Sequence, residues 1–256
     1  MAIPKYNWRM NDDAATTLIV DSMGNSDCFS IVNTDTMSGV GKIGKALTTD
    51  TENYILNHTH EQLTPPMTLF CWFQTPALGT AYAAPIQVFG ETNTWATKTG
   101  IGFDVSNSTN KARLYFYNSD SGGSPKFVSS NDVIAINTWY HLAATIDASF
   151  NMNLYVGGVL QTDTNQQTGS ISTTVRLLLA GITSFATTPI TLDDIRVYDE
   201  VLSQSEIIQL AAMSHTRINI GDDFKYAVNT KINIGDSWKD IVGMKQNIGG
   251  VWKDVF

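Results

Sequence analysis

The chain contains 256 residues, carries a formal net charge of −8, and is 43% hydrophobic but only 16% charged. Thirty Thr, nineteen Ser and nineteen Asn supply the polarity that charged side chains usually provide, which excludes a disordered tail, a coiled coil and a Lys/Glu-rich helical bundle. The acidic balance argues against nucleic-acid or anionic-membrane partners, because these need a basic face. No run of 18 apolar residues is present to insert into a membrane.

Short apolar or alternating runs, separated by Gly, Pro, Asn and Asp, recur along the chain and predict β-strands. Many short strands with turn residues between them predict an all-β fold, an antiparallel β-sandwich of the jelly-roll type. In chain order we expect strands near Met67–Gln74, 86–89, Gly100–Val105, Lys111–Tyr117, 126–128, 139–146, 153–156, 175–180 and Ile190–Tyr198.

One hairpin turn and one helix complete the predicted elements. Gly157 and Gly158 can both adopt positive φ, as a tight hairpin turn requires. Ser203 and Glu206 have the spacing of a capping box in front of an apolar run, which predicts a short helix that ends near Met213. We expect this helix to pack over one edge of the sandwich.

The sequence changes character after Ser214. The motif Asn-Ile-Gly occurs three times with glycines at 221, 235 and 249, a constant period of 14 residues. Each unit predicts a β-hairpin, and because a lone hairpin is marginally stable, the three could cover one another, dock on the main domain or assemble with other subunits. The residues expected to pack in this oligomerisation or attachment module are Phe224, Trp238 and Trp252.

The charge distribution supports the same division. Residues 215–256 contain six Lys/Arg and five Asp, a net charge of +1, so residues 1–214 carry −9. We therefore predict a jelly-roll domain at 1–214 and a module of three 14-residue β-hairpin repeats at 215–256.

Sequence motifs for catalysis are missing. The chain has no Gly-x-Ser-x-Gly elbow, its four His lack an evident partner, and none of its five Glu has an Asp two residues on. His58 and His60 could form a two-ligand metal clip, but the sequence suggests no third ligand, which favours a solvated loop. Two cysteines make no disulfide framework, and Cys71 in an apolar run is expected to be a buried thiol. The sequence therefore predicts that the protein is not an enzyme.

The segment around Trp95 is the best sequence candidate for sugar binding. Trp95 has polar neighbours, among them Glu91 and Asn93, so its ring could form a stacking platform beside hydrogen-bonding groups. The alternative is an aromatic side chain in a loop that packs onto the sandwich. Catalytic residues are not proposed.

Calcium is the metal that the sequence suggests. Residues 21–27 place several oxygen donors, among them Asp21 and Asn25, around a flexible glycine, and Asp193 and Asp194 put two carboxylates on one strand. The alternative for residues 21–27 is a turn rich in Asx residues.

Several segments form a recognisable series, among them Asp21-Ser22-Met23-Gly24-Asn25, Gly41-Lys42-Ile43-Gly44-Lys45-Ala46-Leu47, Trp139-Tyr140-His141-Leu142 and Leu192-Asp193-Asp194-Ile195-Arg196-Val197-Tyr198-Asp199. Together they resemble the concanavalin A-like jelly roll of the laminin-G-like family, over about residues 6–212. The resemblance implies two curved antiparallel sheets, binding of glycans or proteins, and commonly a structural Ca²⁺. Asp193 matches a position that often supplies a carboxylate ligand, and Asp21 lies in the turn that approaches it.

The C-terminal repeats resemble short Asn-Ile-Gly-Gly-x-Trp-Lys repeats at the ends of bacteriophage tail and fibre proteins. An N-terminus without an apolar signal region agrees with a protein made in a host cytoplasm and displayed on a virion. We therefore expect a non-enzymatic virion protein that binds a host-surface or environmental glycan, contacts other virion proteins through 215–256, and forms a homo-trimer. The alternatives are a structural adaptor or decoration protein that binds another virion protein, and a polysaccharide depolymerase.

Overall fold

The computed structural model describes residues 2–50, 55–57, 63–78, 83–90, 100–117, 126–166, 175–179 and 188–212, together with six strands between 216 and 254. The chain divides into two compact units, Met1–Ala212 and Met213–Phe256. Each unit is described separately below.

The first unit is a sandwich of two antiparallel sheets, each with eight described strands. Sheet A has the order β14 (Val159–Gln166), β13 (Asn151–Val156), β12 (Tyr140–Ile146), β7 (Met67–Gln74), β16 (Ile190–Tyr198), β5 (Lys45–Thr49) and β4 (Ser38–Val40), and β1 (Tyr6–Trp8) also pairs with β16. Sheet B has the order β11 (Lys126–Val133), β10 (Lys111–Tyr117), β9 (Gly100–Val105), β8 (Ala83–Gly90), β15 (Val175–Leu179), β6 (Ile55–Asn57), β3 (Cys28–Ser30) and β2 (Leu18–Ile19). The predicted antiparallel all-β sandwich is confirmed.

The main core lies between the sheets and is built by strands with a period of two. In β7, Met67, Leu69, Cys71 and Phe73 point into this core, whereas the residues between them face the other side of sheet A. Complete burial of one such large apolar side chain contributes about 1.5–3 kcal/mol. The prediction that Cys71 is a buried thiol is confirmed, and burial raises its pKa above its ordinary value.

The strands of sheet B follow the same alternation. Ile101, Phe103 and Val105 of β9 point into the core, and so do the alternate residues of β10 that pair with them. The intervening residues of both strands therefore share the outer face of sheet B. This alternation determines which side chains of sheet B can contact a ligand on its outer face.

Two short helices accompany the sheets, α1 (Thr34–Met37) and α2 (Gln204–Ala211). The capping box predicted for α2 is confirmed: the backbone N–H of Glu206 donates to Ser203 Oγ, and the backbone N–H of Ser203 donates to Glu206 Oε2 at 3.0 Å. Ile207 and Leu210 are the buried residues of α2. In the part of the chain that the structure describes, no helix is long and apolar enough to cross a bilayer.

The predicted turn between β13 and β14 is confirmed, with φ of +59° at Gly157 and +82° at Gly158. Gly158 also lies against α2, since a Cβ placed there would be 3.2 Å from Ile208 Cα and 3.3 Å from Ala211 Cβ. The glycine thus serves both the hairpin and the packing of α2.

Side chains join the edge strands β11 and β14 across the two sheets. The backbone N–H of Asn131 donates to Gln161 Oε1 at 2.7 Å, and that of Ser129 donates to Asp163 Oδ2 at 2.8 Å. In return, the Thr162 N–H and hydroxyl donate to Asn131 Oδ1. These bonds satisfy edge groups that could otherwise pair with another chain.

The second unit contains three antiparallel hairpins, one in each 14-residue repeat. They are β17 (Thr216–Ile220) with β18 (Asp223–Val228), β19 (Lys231–Ile234) with β20 (Ser237–Asp240), and β21 (Lys245–Ile248) with β22 (Val251–Asp254). Phe224, Trp238 and Trp252 occupy equivalent positions, each opposite the Asn of its Asn-Ile-Gly motif. Their role in attachment stays a prediction.

Candidate functional site

The predicted glycan-binding residues Glu91, Asn93 and Trp95 lie outside the described residues. The described chain reaches Gly90 at the end of β8 and continues from Gly100 at the start of β9. Their role in binding stays a prediction.

Asp21, predicted as a calcium ligand, organises a turn through hydrogen bonds. Its side chain is buried, and Oδ1 accepts the N–H groups of Asn7 at 2.9 Å and Met23 at 3.0 Å. Oδ2 accepts those of Asn25 at 2.9 Å and Ser26 at 3.0 Å. Four backbone N–H groups therefore donate to this carboxylate. This is the arrangement expected of a turn rich in Asx residues, the alternative to a calcium site at residues 21–27.

The Asn25 side chain and Asp193 each have hydrogen-bond partners away from the Asp21 carboxylate. The Asn25 side-chain amide donates to the Lys5 carbonyl at 2.7 Å, and Asp193 Oδ2 accepts the Ile43 N–H at 2.6 Å. Within the described residues, no group of three or more His, Cys, Asp or Glu side chains could hold a metal ion. These contacts do not support a calcium site shared by Asp21, Asn25 and Asp193, and calcium binding stays a prediction.

The outer face of sheet B carries a patch of charged and aromatic side chains that we call the B-face patch. It comprises two rows of three residues, each crossing β9, β10 and β11 in register: Asp104, Arg113 and Ser129, and beside them Gly102, Tyr115 and Phe127. Side chains at such directly opposed and diagonal positions contact one another.

Arg113 is the centre of the B-face patch. Its Nε donates to Asp104 Oδ1 and its Nη2 donates to Oδ2, each at 2.7 Å, which makes a bidentate pair. The guanidinium also lies over the Phe127 ring, with Cζ 4.0 Å from the ring centroid. The planar guanidinium is thus fixed between a carboxylate and an aromatic ring.

The B-face patch is recessed rather than fully solvated. The side chains of Arg113 and Asp104 are 15% and 9% exposed, and Tyr115 is buried beside them. Burial raises the pKa of Asp104, and the hydrogen bonds and charge of Arg113 offset part of that rise. Polar groups held in fixed positions beside aromatic rings suit a ligand that has both hydroxyl groups and apolar faces.

The outer face of sheet A has a similar ion pair, Arg196 with Asp194. Arg196 Nε donates to Asp194 Oδ1 at 3.0 Å, Nη2 donates to Oδ2 at 2.8 Å, and the guanidinium lies 5.4 Å from the Phe70 ring centroid. Asp194 has a φ of +45° where the pairing of β16 with β7 shifts register. The side chains of Arg196 and Asp194 are 9% and 4% exposed, so this pair offers less surface to a ligand than the B-face pair.

The B-face patch was not predicted from the sequence. Arg113 and Tyr115 alternate with apolar residues, and that alternation marks them as one face of β10. Asp104 comes from another strand, and only the register Arg113–Asp104 brings the two together.

Comparisons with known proteins agree with the fold. Residues 49–208 match a family model described as Laminin_G_3, of the concanavalin A-like lectin/glucanases superfamily. No curated protein matches the chain.

Several solved structures share the fold at low sequence identity. Domain 4 of an extracellular arabinanase from Geobacillus stearothermophilus, in complex with arabinotriose, has a TM-score of 0.64 and 17% identity over 81% of this chain and 98% of that one. The receptor-binding domain of botulinum neurotoxin type G has a TM-score of 0.60 and 12% identity over 96% of this chain and 68% of that one. A Trypanosoma rangeli sialidase in complex with sialic acid has a TM-score of 0.58 and 14% identity over 82% of this chain and 33% of that one.

These comparisons correct one prediction. The prediction that the protein is not an enzyme is wrong, because the matching superfamily includes glucanases, and the fold occurs in domain 4 of an arabinanase and in 33% of a sialidase chain. Sequence motifs of one kind of active site are too narrow a test for a fold that appears in several glycosidases.

Proposed function

Because the chain belongs to the concanavalin A-like lectin/glucanases superfamily, we propose that it binds glycans through the outer face of sheet B. The observation that carries this proposal is the B-face patch, where Arg113 is held bidentate by Asp104 over the ring of Phe127. Preorganised polar groups of this kind lose little side-chain entropy when a ligand binds.

The groups of the B-face patch match the two surfaces of a sugar. Hydroxyl groups can donate to the lone pairs of Asp104 that Arg113 does not use, while apolar C–H faces pack against an aromatic ring. Trp95, which the sequence predicts as a stacking platform, stays a separate candidate for contact with the sugar. One sugar site of this size gives weak affinity, which display in several copies would raise.

Arabinan fragments are the first probes we would test, because the arabinanase domain that shares this fold is complexed with arabinotriose. A glycan array that contains arabino-oligosaccharides, sialylated glycans and bacterial surface polysaccharides tests the proposal broadly. Binding by the intact protein, weakened by Phe127→Leu and by Trp95→Ala, is the expected result. Silence across the array would contradict glycan binding and favour the adaptor that binds another virion protein.

The same incubations can be assayed for release of reducing ends. Such release would show that the protein also cleaves the polysaccharide that it binds.

We also propose that the protein is displayed on a bacteriophage virion, with residues 215–256 for attachment or oligomerisation. The constant 14-residue period and the equivalent register of Phe224, Trp238 and Trp252 support one repeated contact surface. Light scattering of the full chain against a version truncated after Ser214 tests this. A trimer that becomes a monomer on truncation is expected, and equal subunit numbers would contradict it.

A further inference from the structure

The outer face of sheet A contains a row of three buried polar side chains that the glycan site does not use. His141 of β12 lies opposite Trp72 of β7, and Trp72 lies opposite Asp193 of β16. Their exposed fractions are 1%, 7% and 0%. Since directly opposed side chains on one face are neighbours, the three form a continuous row across the middle of the sheet.

Each member of this row has a polar atom without a hydrogen-bond partner among the described groups. These atoms are both ring nitrogens of His141, Nε1 of Trp72 and Oδ1 of Asp193. The His141 ring instead makes edge contacts with Phe70 and Trp72, at centroid distances of 4.4 and 5.4 Å. Buried polar groups are costly unless they are hydrogen-bonded, so unpartnered atoms on three adjacent side chains point to a partner that they share.

We propose that a buried water molecule binds between His141, Trp72 and Asp193 and is part of the folded structure. The Trp72 indole can only donate, a neutral imidazole donates from one nitrogen and accepts at the other, and a carboxyl oxygen accepts or donates according to its protonation. Water both donates and accepts, so it suits this mixed set in either state of Asp193. Buried waters typically have about three such partners.

The turn between β4 and β5 closes the row from above. Ile43 is buried and its N–H donates to Asp193 Oδ2, while Lys42 Nζ lies 4.8 Å from the centroid of the Trp72 ring. The turn requires a glycine at position 41, because a Cβ there would lie only 2.7 Å from Asp193 Oδ2. Through Asp193, the water thus links the central strands to the β4–β5 turn.

The test uses the sign and the size of a stability change. Trp72→Phe and His141→Leu each remove polar atoms of the row. If a water bridges the row, each variant removes hydrogen bonds and should raise the unfolding equilibrium constant about fivefold or more. If the row is dry, each variant removes unsatisfied buried groups, so His141→Leu should leave that constant unchanged or lower it. Trp72→Phe should then raise it less than Trp8→Phe does, because both Trp variants lose the same ring volume but only Trp8→Phe also loses a hydrogen bond.

Trp8→Phe calibrates the measurement, because Trp8 Nε1 donates to the Ser26 carbonyl at 2.8 Å and its loss costs a known hydrogen bond. A high-resolution crystal structure of the intact protein gives the second readout and does not depend on any variant folding. Density for a water within hydrogen-bond distance of at least two of the three side chains is expected. A row without such density would overturn the proposal, and so would a His141→Leu variant as stable as the parent together with a Trp72→Phe variant less destabilised than Trp8→Phe.

Discussion

Replacement of Asp21 by Asn tests whether the Asp21 carboxylate stabilises the turn at residues 21–26. In the parent protein each carboxylate oxygen accepts two backbone N–H groups. An asparagine keeps one oxygen but turns an NH₂ group toward two of those donors. Asp21→Asn therefore loses two hydrogen bonds to a charged acceptor and sets donor against donor.

The magnitude follows from the number of bonds lost. A hydrogen bond to a charged group contributes about 1.5–3 kcal/mol, so the loss of two should cost on the order of 3 kcal/mol. Asp21 is only 2% exposed, which leaves little room for water to replace the lost acceptor. Urea denaturation followed by tryptophan fluorescence measures the change in the free energy of unfolding.

Asp147 provides a matched control. Its Oδ1 accepts the N–H groups of Ser149 at 2.8 Å and Asn151 at 2.9 Å, but in an exposed turn where water can replace it. Asp147→Asn should therefore destabilise the protein much less than Asp21→Asn. Equal, small effects of the two variants would refute the account of the Asp21 turn.

The same experiment bears on calcium. If the four N–H donors are the partners of Asp21, the cost of Asp21→Asn is the same in EDTA and in calcium. A stability difference that appears only with calcium would show that Asp21 is a metal ligand, as the sequence predicts.

Three further predictions concern α2 and the buried titratable groups. Ser203→Ala removes the capping oxygen and should lower the free energy of unfolding by about 1 kcal/mol; an unchanged urea midpoint would contradict it. Burial lowers the pKa of His141 from 6.5 to about 3. Between these values the unfolded chain binds a proton that the folded chain does not bind, so the free energy of unfolding should decrease as the pH falls from 6.5 to 3. His141→Leu should flatten that part of the pH profile, and an identical profile would refute the assignment. Burial raises the pKa of Asp193 from 3.8 to about 8. Between these values the folded chain keeps a proton that the unfolded chain releases, so the free energy of unfolding should decrease as the pH rises from 3.8 to 8. Asp193→Asn should remove this decline, and a decline that persists would contradict it.

Local patterns in the sequence were sufficient for the central strands and for α2. The run Met67–Gln74 is apolar on both faces because the main core covers one and further buried side chains cover the other, so its strand stands out. The capping box of α2 depends on residues only three apart, and the structure contains both of its hydrogen bonds. Such signals need no knowledge of distant parts of the chain.

The short strands β2, β3 and β6 and the B-face patch could not be predicted in the same way. The strands β2, β3 and β6 are two or three residues long and exist because of their neighbours in sheet B. Asp104 and Arg113 become partners through the register of β9 and β10, a property of the folded sheet. The row of His141, Trp72 and Asp193 likewise joins three strands that are distant in the chain.

The central claim, that the B-face patch binds glycans, is tested most directly by one titration of three proteins. The parent, Arg113→Lys and Arg196→Lys are titrated with the array glycan that binds the parent best. Both variants keep the charge and lose a bidentate pair with an aspartate near a Phe ring. We predict that Arg113→Lys weakens binding about tenfold or more, while Arg196→Lys keeps the parent affinity. Equal affinity of the parent and Arg113→Lys, or equal losses in both variants, would contradict the claim.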